Sequence, residues 1–306
     1  MTVNLSSEPS DRLARARESL EGLSVGDAFG ELFIQMAADA QAYFINNRHL
    51  PPMPMRYTDD TNMALSIYAL LRDNGSIEHD ALARHFAEHF EANRGYGQGA
   101  RRLLKSLQEG TNWQTASKQL FSGQGSFGNG GAMRVAPLGA YFADDLDRVV
   151  SEARKSAEVT HAHVEGIAGA IAIAVAASYA ARLRGDLVPT RRAFLEMILP
   201  HVPKGLVYDN ISQAREFPTG VSVDHLAMTL GNGSQVSAQD TVGYCLWCAG
   251  EKLGNYEDAL WLTVSGSGDT DTCCAIVGGI VSAYTGAGAI PGVWVESREA
   301  LPSWGI

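Results

Sequence analysis

The stretch GIAGAIAIAVAASYAARL runs from Gly166 to Leu183 and is nearly free of charge. It consists mostly of alanine and glycine, with a few isoleucine and valine residues. A membrane span needs about 20 predominantly apolar residues, whereas small residues on every face of a helix let neighbouring helices approach closely. We therefore interpret this stretch as the central buried helix of a helical domain, and not as a membrane span.

Helical periodicity extends outward from this stretch over most of the chain. Alternating strand patterns are scarce, and Pro51, Pro52 and Pro54 mark a loop. We predict an all-α fold with a single domain over residues 1–306. The predicted helices cover residues 11–23, 62–72, 80–93, 100–108, 146–157, 164–183, 190–199, 238–249, 256–264 and 272–284, the first of them ending at Gly26.

The composition argues against several classes of protein. Hydrophobic residues make up 45% of the chain and charged residues 19%, which is typical of a globular protein, and the net charge is −10. No cluster of lysine and arginine is long enough to bind nucleic acid through a basic face. Residues 1–17 contain no apolar signal segment, and four cysteines are too few for a disulfide scaffold. We expect a cytoplasmic protein with no nucleic-acid or membrane partner.

Two short acidic segments each precede an apolar helix. They are Thr58-Asp59-Asp60-Thr61 and Gly268-Asp269-Thr270-Asp271-Thr272. Threonine and aspartate at a helix start are ordinary caps, because their oxygens accept hydrogen bonds from the first N–H groups. One cap needs only one side chain, however, and adjacent carboxylates repel. Two such segments in one chain indicate a joint site for hard divalent cations, which prefer oxygen ligands.

The loop GSFGNGGAMR, Gly125 to Arg134, is a candidate phosphate-binding segment. Glycines let backbone N–H groups approach a phosphate closely, although a flexible loop is the alternative interpretation. It is neither a P-loop nor a Rossmann turn. His161 and His163 precede the alanine-rich helix, where they either bind a ligand or metal or serve as satisfied polar residues.

Two other patterns suggest zinc or redox chemistry. His85-Phe86-Ala87-Glu88-His89 fits the H-x-x-E-H pattern of some zinc peptidases, but it also fits a polar helix face. Cys245-Leu246-Trp247-Cys248 would be half of a zinc site or a redox pair. No second CxxC exists, so we interpret these cysteines as buried thiols.

The chain resembles the ADP-ribosylglycohydrolase family. The resemblance rests on Gly26-Asp27-Ala28-Phe29-Gly30, the two acidic segments, the glycine loop and Thr160-His161 in this order. It spans about residues 15–286, and Arg94-Gly95-Tyr96-Gly97 is most similar to the ADP-ribosyl-serine branch. It implies an ADP-ribosylglycohydrolase-like helical fold, with two Mg²⁺ or Mn²⁺ ions between helix N-termini.

The resemblance also implies roles for individual residues. ADP-ribose and an ADP-ribosylated protein would be the partners, and the linkage would be to arginine or serine. Phe127 would stack near the distal ribose or adenine. The implied metal ligands are Thr58, Asp59, Asp60, Asp269, Asp271 and Thr272. The implied substrate-binding residues are Asp59, Gln124, Gly125, Ser126, Phe127, Gly128, Asn129, Gly130 and His161.

One position departs from the serine branch, in which a glutamate reaches the metal site. Here this position is Ile34, and Glu31 lies three residues earlier. For the expected hydrolysis, Asp60 is the first candidate for the carboxylate that accepts a proton from water, and Glu31 is the second. The alternative function is that of a non-catalytic ADP-ribose-binding relative, since a fold does not fix a function.

Overall fold

The computed structural model describes residues 5–52 and 54–306. Helices make up 68% of the chain, and no strand occurs among the described residues. Two isolated bridges join Met55 to Arg298 and Gly128 to Ser237. The predicted all-α fold is confirmed. Two predictions, the single domain over residues 1–306 and the interpretation of residues 1–17, include residues 1–4. These four residues lie outside the described residues.

Sixteen α-helices occur in the part of the chain that the structure describes. Short 3₁₀ turns separate some of them. The helices are α1 (Pro9–Ile34), α2 (Ala38–Asn47), α3 (Asp59–Asn74), α4 (His79–Glu88), α5 (Gln98–Gln108), α6 (Trp113–Gly123), α7 (Ala136–Tyr141), α8 (Leu146–Glu158), α9 (Val164–Arg182), α10 (Arg191–Ile198), α11 (Leu206–Glu216), α12 (Val223–Leu230), α13 (Ala238–Glu251), α14 (Tyr256–Val264), α15 (Thr270–Thr285) and α16 (Gly292–Ser297).

Helix α9 contains the alanine-rich stretch and lies in the centre of the protein. It packs against α7, α8, α13 and α15. By length and composition α9 is the one helix among the described residues that could cross a membrane, but 89% of its most apolar window is buried inside the protein. This burial agrees with the predicted central helix, because small side chains leave room for several neighbouring helices.

Helices α1 and α15 form the most extensive helix pair. A Cβ built on Gly26 would lie 2.2 Å from the Cys274 carbonyl oxygen, and one built on Gly30 would lie 2.2 Å from that of Thr270. Only glycine permits this approach. The prediction that the first helix ends at Gly26 is therefore wrong: α1 continues to Ile34, because Gly26 and Gly30 are contact positions and not a helix end.

The end of α4 also differs from the sequence prediction, which continued it to Asn93. The helix ends at Glu88. The side-chain amide of Asn62 donates a hydrogen bond of 2.7 Å to the carbonyl oxygen of His89, just beyond this end. A free carbonyl at the C-terminus of a helix needs such a partner, and here a distant residue supplies it.

Candidate metal and ligand site

The first acidic segment lies at the start of α3. Thr58 is the N-cap, and its side chain accepts a hydrogen bond from the Asp60 N–H at 3.4 Å. The capping role that the sequence suggested is therefore present. It occupies Thr58 alone, and the Asp59 and Asp60 carboxylates remain for other interactions. Asp60 is 1% exposed, which is unusual for an aspartate without a basic partner.

The second acidic segment lies at the start of α15. Asp269 occupies the N-cap position, yet no side-chain capping hydrogen bond forms there. Its Oδ2 instead accepts a hydrogen bond of 2.7 Å from Asn129 Nδ2. Asp271 and Thr272 follow in the first turn, and Thr272 is buried. Capping therefore does not account for the carboxylates of this segment.

Asp27 lies in the middle of α1 and was not among the metal ligands predicted from the sequence. It is fully buried. Its carboxylate accepts hydrogen bonds from the backbone N–H and the hydroxyl of Thr58, and from the same two groups of Thr61. Asp27 thus holds the first turn of α3 in place. The only signal for it in the sequence was its position between Gly26 and Gly30.

Packing of α1 against α3 and α15 brings three carboxylates together. One oxygen each of Asp27, Asp60 and Asp271 can be chosen so that all three lie within 4.8 Å of one another. In the described part of the chain this is the one group of three or more acidic, histidine or cysteine side chains that could hold a metal ion. The two predicted acidic segments therefore form one acidic cluster, together with Asp27.

The carboxylates of the cluster lack some hydrogen-bond partners, which indicates a cation site. Asp60 Oδ1 and Asp271 Oδ1 are buried and have no hydrogen-bond partner among the described residues. The Thr58 hydroxyl lies 2.8 Å from both Asp27 Oδ1 and Asp60 Oδ2, although it carries only one proton. Unpaired buried carboxylate oxygens are costly, and hard divalent cations bind such oxygens. Since Asp27 is already saturated by Thr58 and Thr61, Asp60 and Asp271 are the stronger ligand candidates.

Burial and mutual repulsion raise the carboxyl pKa values of the cluster. Loss of solvation raises the pKa of Asp27 to about 6 and that of Asp59 to about 8, and the charge of Asp27 adds to the shift at Asp59. The pKa values of Asp60 and Asp271 are raised well above the ordinary value, first by burial and then by neighbouring carboxylates. A divalent cation would stabilise the charged forms instead.

A cavity of about 570 Å³ joins the acidic cluster to the glycine loop. This volume lies within the range of small-molecule sites. The candidate residues that line it are Asp59, Ser126, Phe127, Gly128, Asn129, Gly130, His161, Asp269, Asp271 and Thr272. Five predicted site residues do not line the cavity: Thr58, Asp60, Glu31, Gln124 and Gly125. The side chain of Gln124 is exposed, and Gly125 packs against Ala162 with φ +76°.

The glycine loop presents polar and aromatic groups to the cavity. In the described part of the chain, the N–H groups of Phe127 and Gly130 donate no hydrogen bond to the protein. They are therefore available to an acceptor such as a phosphate oxygen. The Phe121 and Phe127 rings meet at 5.6 Å between centroids and form an aromatic wall. Phe121 was not predicted as a site residue.

The two predicted histidines have different surroundings. His163 is the N-cap of α9, and its Nδ1 accepts a hydrogen bond of 3.1 Å from the Glu165 N–H. His161 is 7% exposed and borders the cavity, where a Cβ on Gly130 would lie 3.3 Å from its Nε2. Neither histidine belongs to the acidic cluster. His161 is therefore a candidate for ligand contact, and His163 is a helix cap.

Glu31 and Ile34 occupy the last two turns of α1. Glu31 is partly exposed, and its pKa is raised by burial and then by the charges of Asp27 and Asp269. It lies one helical turn beyond Asp27 on the same face of α1 and does not belong to the three-carboxylate group. Ile34 is 38% exposed at the helix end. Ile34 has no side-chain oxygen that could bind a metal ion. Glu31 is therefore the α1 carboxylate that is nearest in sequence to this position.

The rival zinc and redox motifs form no metal cluster in the described residues. The His85 and His89 rings lie with their centroids 4.3 Å apart, and His89 stacks on Trp304 at 3.8 Å. Both rings thus pack against other side chains, His85 within α4 and His89 just beyond its end. Cys245 and Cys248 are free and buried, as expected for core thiols.

The model of the ADP-ribosylglycohydrolase family matches residues 8–304. The chain therefore belongs to the ADP-ribosylglycohydrolase family, as the order of its motifs predicted.

Individual relatives agree with this assignment. An ADP-ribosylhydrolase ARH3 from Xenopus tropicalis is 30% identical over 336 residues, a match that covers 96% of this chain and 94% of that protein. An ADP-ribosylhydrolase ARH3 from Gallus gallus is 29% identical, with 94% and 90% covered. An ADP-ribosylarginine hydrolase Tri1 from Pseudomonas putida is 25% identical, with 94% and 75% covered. The family and these relatives support a hydrolase that removes ADP-ribose.

A solved structure has the same fold. It is described as an ADP-ribosylglycohydrolase-related protein complex, and it superimposes with a TM-score of 0.68 over 94% of this chain and 93% of that one. The sequence identity is 24%. This similarity supports the helical fold alone.

Proposed function

We propose that the protein hydrolyses the bond between ADP-ribose and a modified arginine or serine side chain of a protein, and that it requires divalent metal ions. The observation that carries the proposal is the cavity that joins the acidic cluster to the glycine loop. The side chain of Asn129, on the loop, donates a hydrogen bond to Asp269 of the cluster. A ligand that spans this cavity must place hydrogen-bond acceptors at the glycine loop and a reacting group beside the carboxylates. ADP-ribose linked through its terminal ribose meets both requirements.

The acidic cluster would hold the metal ions. The proposed ligands are Thr58, Asp59, Asp60, Asp269, Asp271 and Thr272, with Mg²⁺ or Mn²⁺ as the cations, because both prefer carboxylate and hydroxyl oxygens. When bound, two such cations would lower the pKa of water and bind ribose hydroxyl groups. Asp27 would keep Thr58 and the first turn of α3 in position. The unpaired oxygens of Asp60 and Asp271 support this arrangement.

The remaining residues would bind and orient the substrate. The free N–H groups of Phe127 and Gly130 would bind the diphosphate, and the rest of the loop from Gln124 to Asn129 would shape its binding site. Since the chain carries a net charge of −10, local donors are needed to hold a dianionic ligand. The ring of Phe127 would stack on the distal ribose or adenine, and Phe121 would extend this wall. His161, which lies just before α9, would donate a hydrogen bond to the ligand.

The reaction would displace the side-chain group at ribose C1″ by water. The C1″ bond to the side-chain nitrogen or oxygen breaks through an oxocarbenium-like state, and a bond from C1″ to the water oxygen forms. Asp60 would accept the proton of the attacking water and pass a proton to the leaving nitrogen or oxygen, so that the step consumes one water molecule. Glu31 is the second candidate for the base, because it lies one helical turn beyond Asp27 on the same face of α1.

A cytoplasmic location fits the four free thiols.

Release of free ADP-ribose is the experiment that tests this function. Two substrates are compared, an ADP-ribosyl-arginine protein and an ADP-ribosyl-serine peptide, each with Mg²⁺, Mn²⁺ or EDTA. We expect metal-dependent release from one of them, which would also identify the linkage. Tight binding of ADP-ribose without release from either substrate at any metal concentration would contradict the proposal and indicate a non-catalytic ADP-ribose-binding protein.

A further inference from the structure

A buried arginine, a threonine and His161 form a hydrogen-bonded chain behind the glycine loop. Arg134 is fully buried, and no carboxylate pairs with it among the described residues. Its Nη2 donates to the Thr160 hydroxyl at 2.8 Å and to the Ser156 carbonyl at 2.9 Å. The same hydroxyl lies 2.7 Å from His161 Nδ1. His161 Nε2, at the other side of the ring, has no partner in the described part of the chain.

The number of available protons decides the direction of these bonds. A guanidinium only donates, so the Thr160 oxygen accepts from Arg134 and retains one proton of its own. That proton has two acceptors in reach: His161 Nδ1 at 2.7 Å and the Ala157 carbonyl at 3.5 Å. The shorter contact is typical of a hydrogen bond from a hydroxyl, and the longer one is at the limit. Thr160 therefore donates to Nδ1, and Nδ1 carries no proton.

The environment also keeps the His161 ring neutral. Burial and the nearby charge of Arg134 lower the pKa of His161 to about 3. A neutral imidazole carries one proton, and with Nδ1 acting as an acceptor this proton is on Nε2. Nε2 borders Gly128 and Gly130, the part of the loop at which the diphosphate would bind.

We propose that Arg134 and Thr160 are positioning residues that hold His161 in its Nε2–H tautomer, so that it donates a hydrogen bond to a diphosphate oxygen of the ligand. A phosphate oxygen is only an acceptor at neutral pH, and the opposite tautomer would turn a lone pair towards it. The identity of the ligand in this inference rests on the proposed function. The tautomer is a property of the protein alone and is measured without any ligand.

The tautomer is read from long-range ¹H–¹⁵N correlation spectra of metal-free protein with ¹⁵N-labelled histidine. The chain has eight histidines, and a spectrum of His161→Gln assigns the signals of His161. We expect a bare Nδ1 and a protonated Nε2 for His161 at neutral pH. A protonated Nδ1 with a bare Nε2, or a doubly protonated ring, overturns the inference. If wild-type protein shows the expected tautomer but never binds ADP-ribose, the proposed function fails and the tautomer assignment stands.

Variants of Thr160 test the positioning role, because replacement of the fully buried Arg134 endangers folding. Thr160→Val removes the hydroxyl at similar volume and should weaken ADP-ribose binding about five- to tenfold, the usual effect of one hydrogen bond. Thr160→Ser keeps the hydroxyl and should restore both affinity and tautomer. In a His161→Ala background, Thr160→Val should cause no further loss. An equal loss in both backgrounds would contradict a role that acts through His161.

Discussion

Asn129 Nδ2 donates a hydrogen bond of 2.7 Å to Asp269 Oδ2, and the glycine loop is thereby joined to the second acidic segment. The same amide lies 3.1 Å from the Thr241 hydroxyl, which holds the asparagine from α13. Because the amide fixes one oxygen of Asp269, the orientation of the other oxygen is fixed as well. If a diphosphate and a metal ion bind as proposed, this hydrogen bond connects their two sites.

Replacement of Asn129 should therefore impair activity without unfolding the protein. We expect Asn129→Ala to reduce kcat/KM for ADP-ribose release by about 10- to 100-fold, as is typical when a residue that orients a metal ligand is removed. Asn74→Ala, at an exposed position of α3, is the matched control and should retain full activity. Equal activity of both variants would show that the bond to Asp269 does not matter for the reaction.

The contact between Gly30 and Thr270 predicts a stability effect. A methyl group on Gly30 would lie 2.2 Å from the Thr270 carbonyl oxygen, so α1 and α15 would have to move apart. We expect Gly30→Ala to lower the free energy of unfolding by about 1–3 kcal/mol, measured by urea denaturation. A Cβ on Gly292 would meet no atom within 4 Å, so Gly292→Ala should be nearly neutral. Equal stability of the two variants would contradict the close packing.

The helices with strong local patterns were predicted well from the sequence. Tyr256–Val264 was predicted with its observed bounds, and the alanine-rich helix differs by one residue at its end. In both cases apolar residues recur at helical spacing over several turns. The predicted start of α15 differs by two residues, because Thr270 and Asp271 were assigned to the acidic segment that precedes the helix.

Helices that depend on distant residues were not found from the sequence. Helix α11 begins after Gly205, where no local side chain caps it. The carboxylate of Glu165, on α9, instead accepts hydrogen bonds of 2.8 Å from the N–H groups of Leu206 and Val207. The sequence contains no local signal for this cap. The helices α2, α6, α12 and α16 were also missed; most are short, and α6 contains a kink.

The candidate site was predictable only where its residues form local clusters. The two acidic segments and the glycine loop are visible as short runs of unusual composition. Asp27 belongs to a motif that carries the family resemblance, but it was not proposed as a site residue, because its partners Thr58 and Thr61 lie more than 30 positions away. Arg134 was noted only as the end of the glycine loop. Its role depends on Thr160, which another element supplies.

The acidic cluster predicts an unusual pH dependence of stability in the metal-free protein. Folding raises the carboxyl pKa values, so the folded state binds more protons than the unfolded state. Stability is therefore lost as the pH rises through the folded pKa values, about 6 for Asp27 and about 8 for Asp59. In EDTA we expect the free energy of unfolding to be lower at about pH 8 than at about pH 6, by at least about 1 kcal/mol.

Two comparisons separate this effect from other titrating groups. Saturating Mg²⁺ should reverse the trend, because cations bind the deprotonated carboxylates. Asp60→Asn removes one charge from the cluster and should show a smaller loss of stability than wild type over the same pH range in EDTA. A metal-free wild-type protein that becomes more stable from about pH 6 to about pH 8 would contradict the repulsion within the cluster.

The most direct test of the acidic cluster as the reaction centre is the rate of ADP-ribose release by Asp60→Asn with saturating Mg²⁺. Asp224→Asn, at an exposed position of α12, is the matched control and should have the wild-type rate. We expect Asp60→Asn to release ADP-ribose at least about 100-fold more slowly than wild type, with an unchanged helical circular dichroism spectrum. A rate within about twofold of wild type would contradict the assignment of Asp60 and, with it, the proposed site.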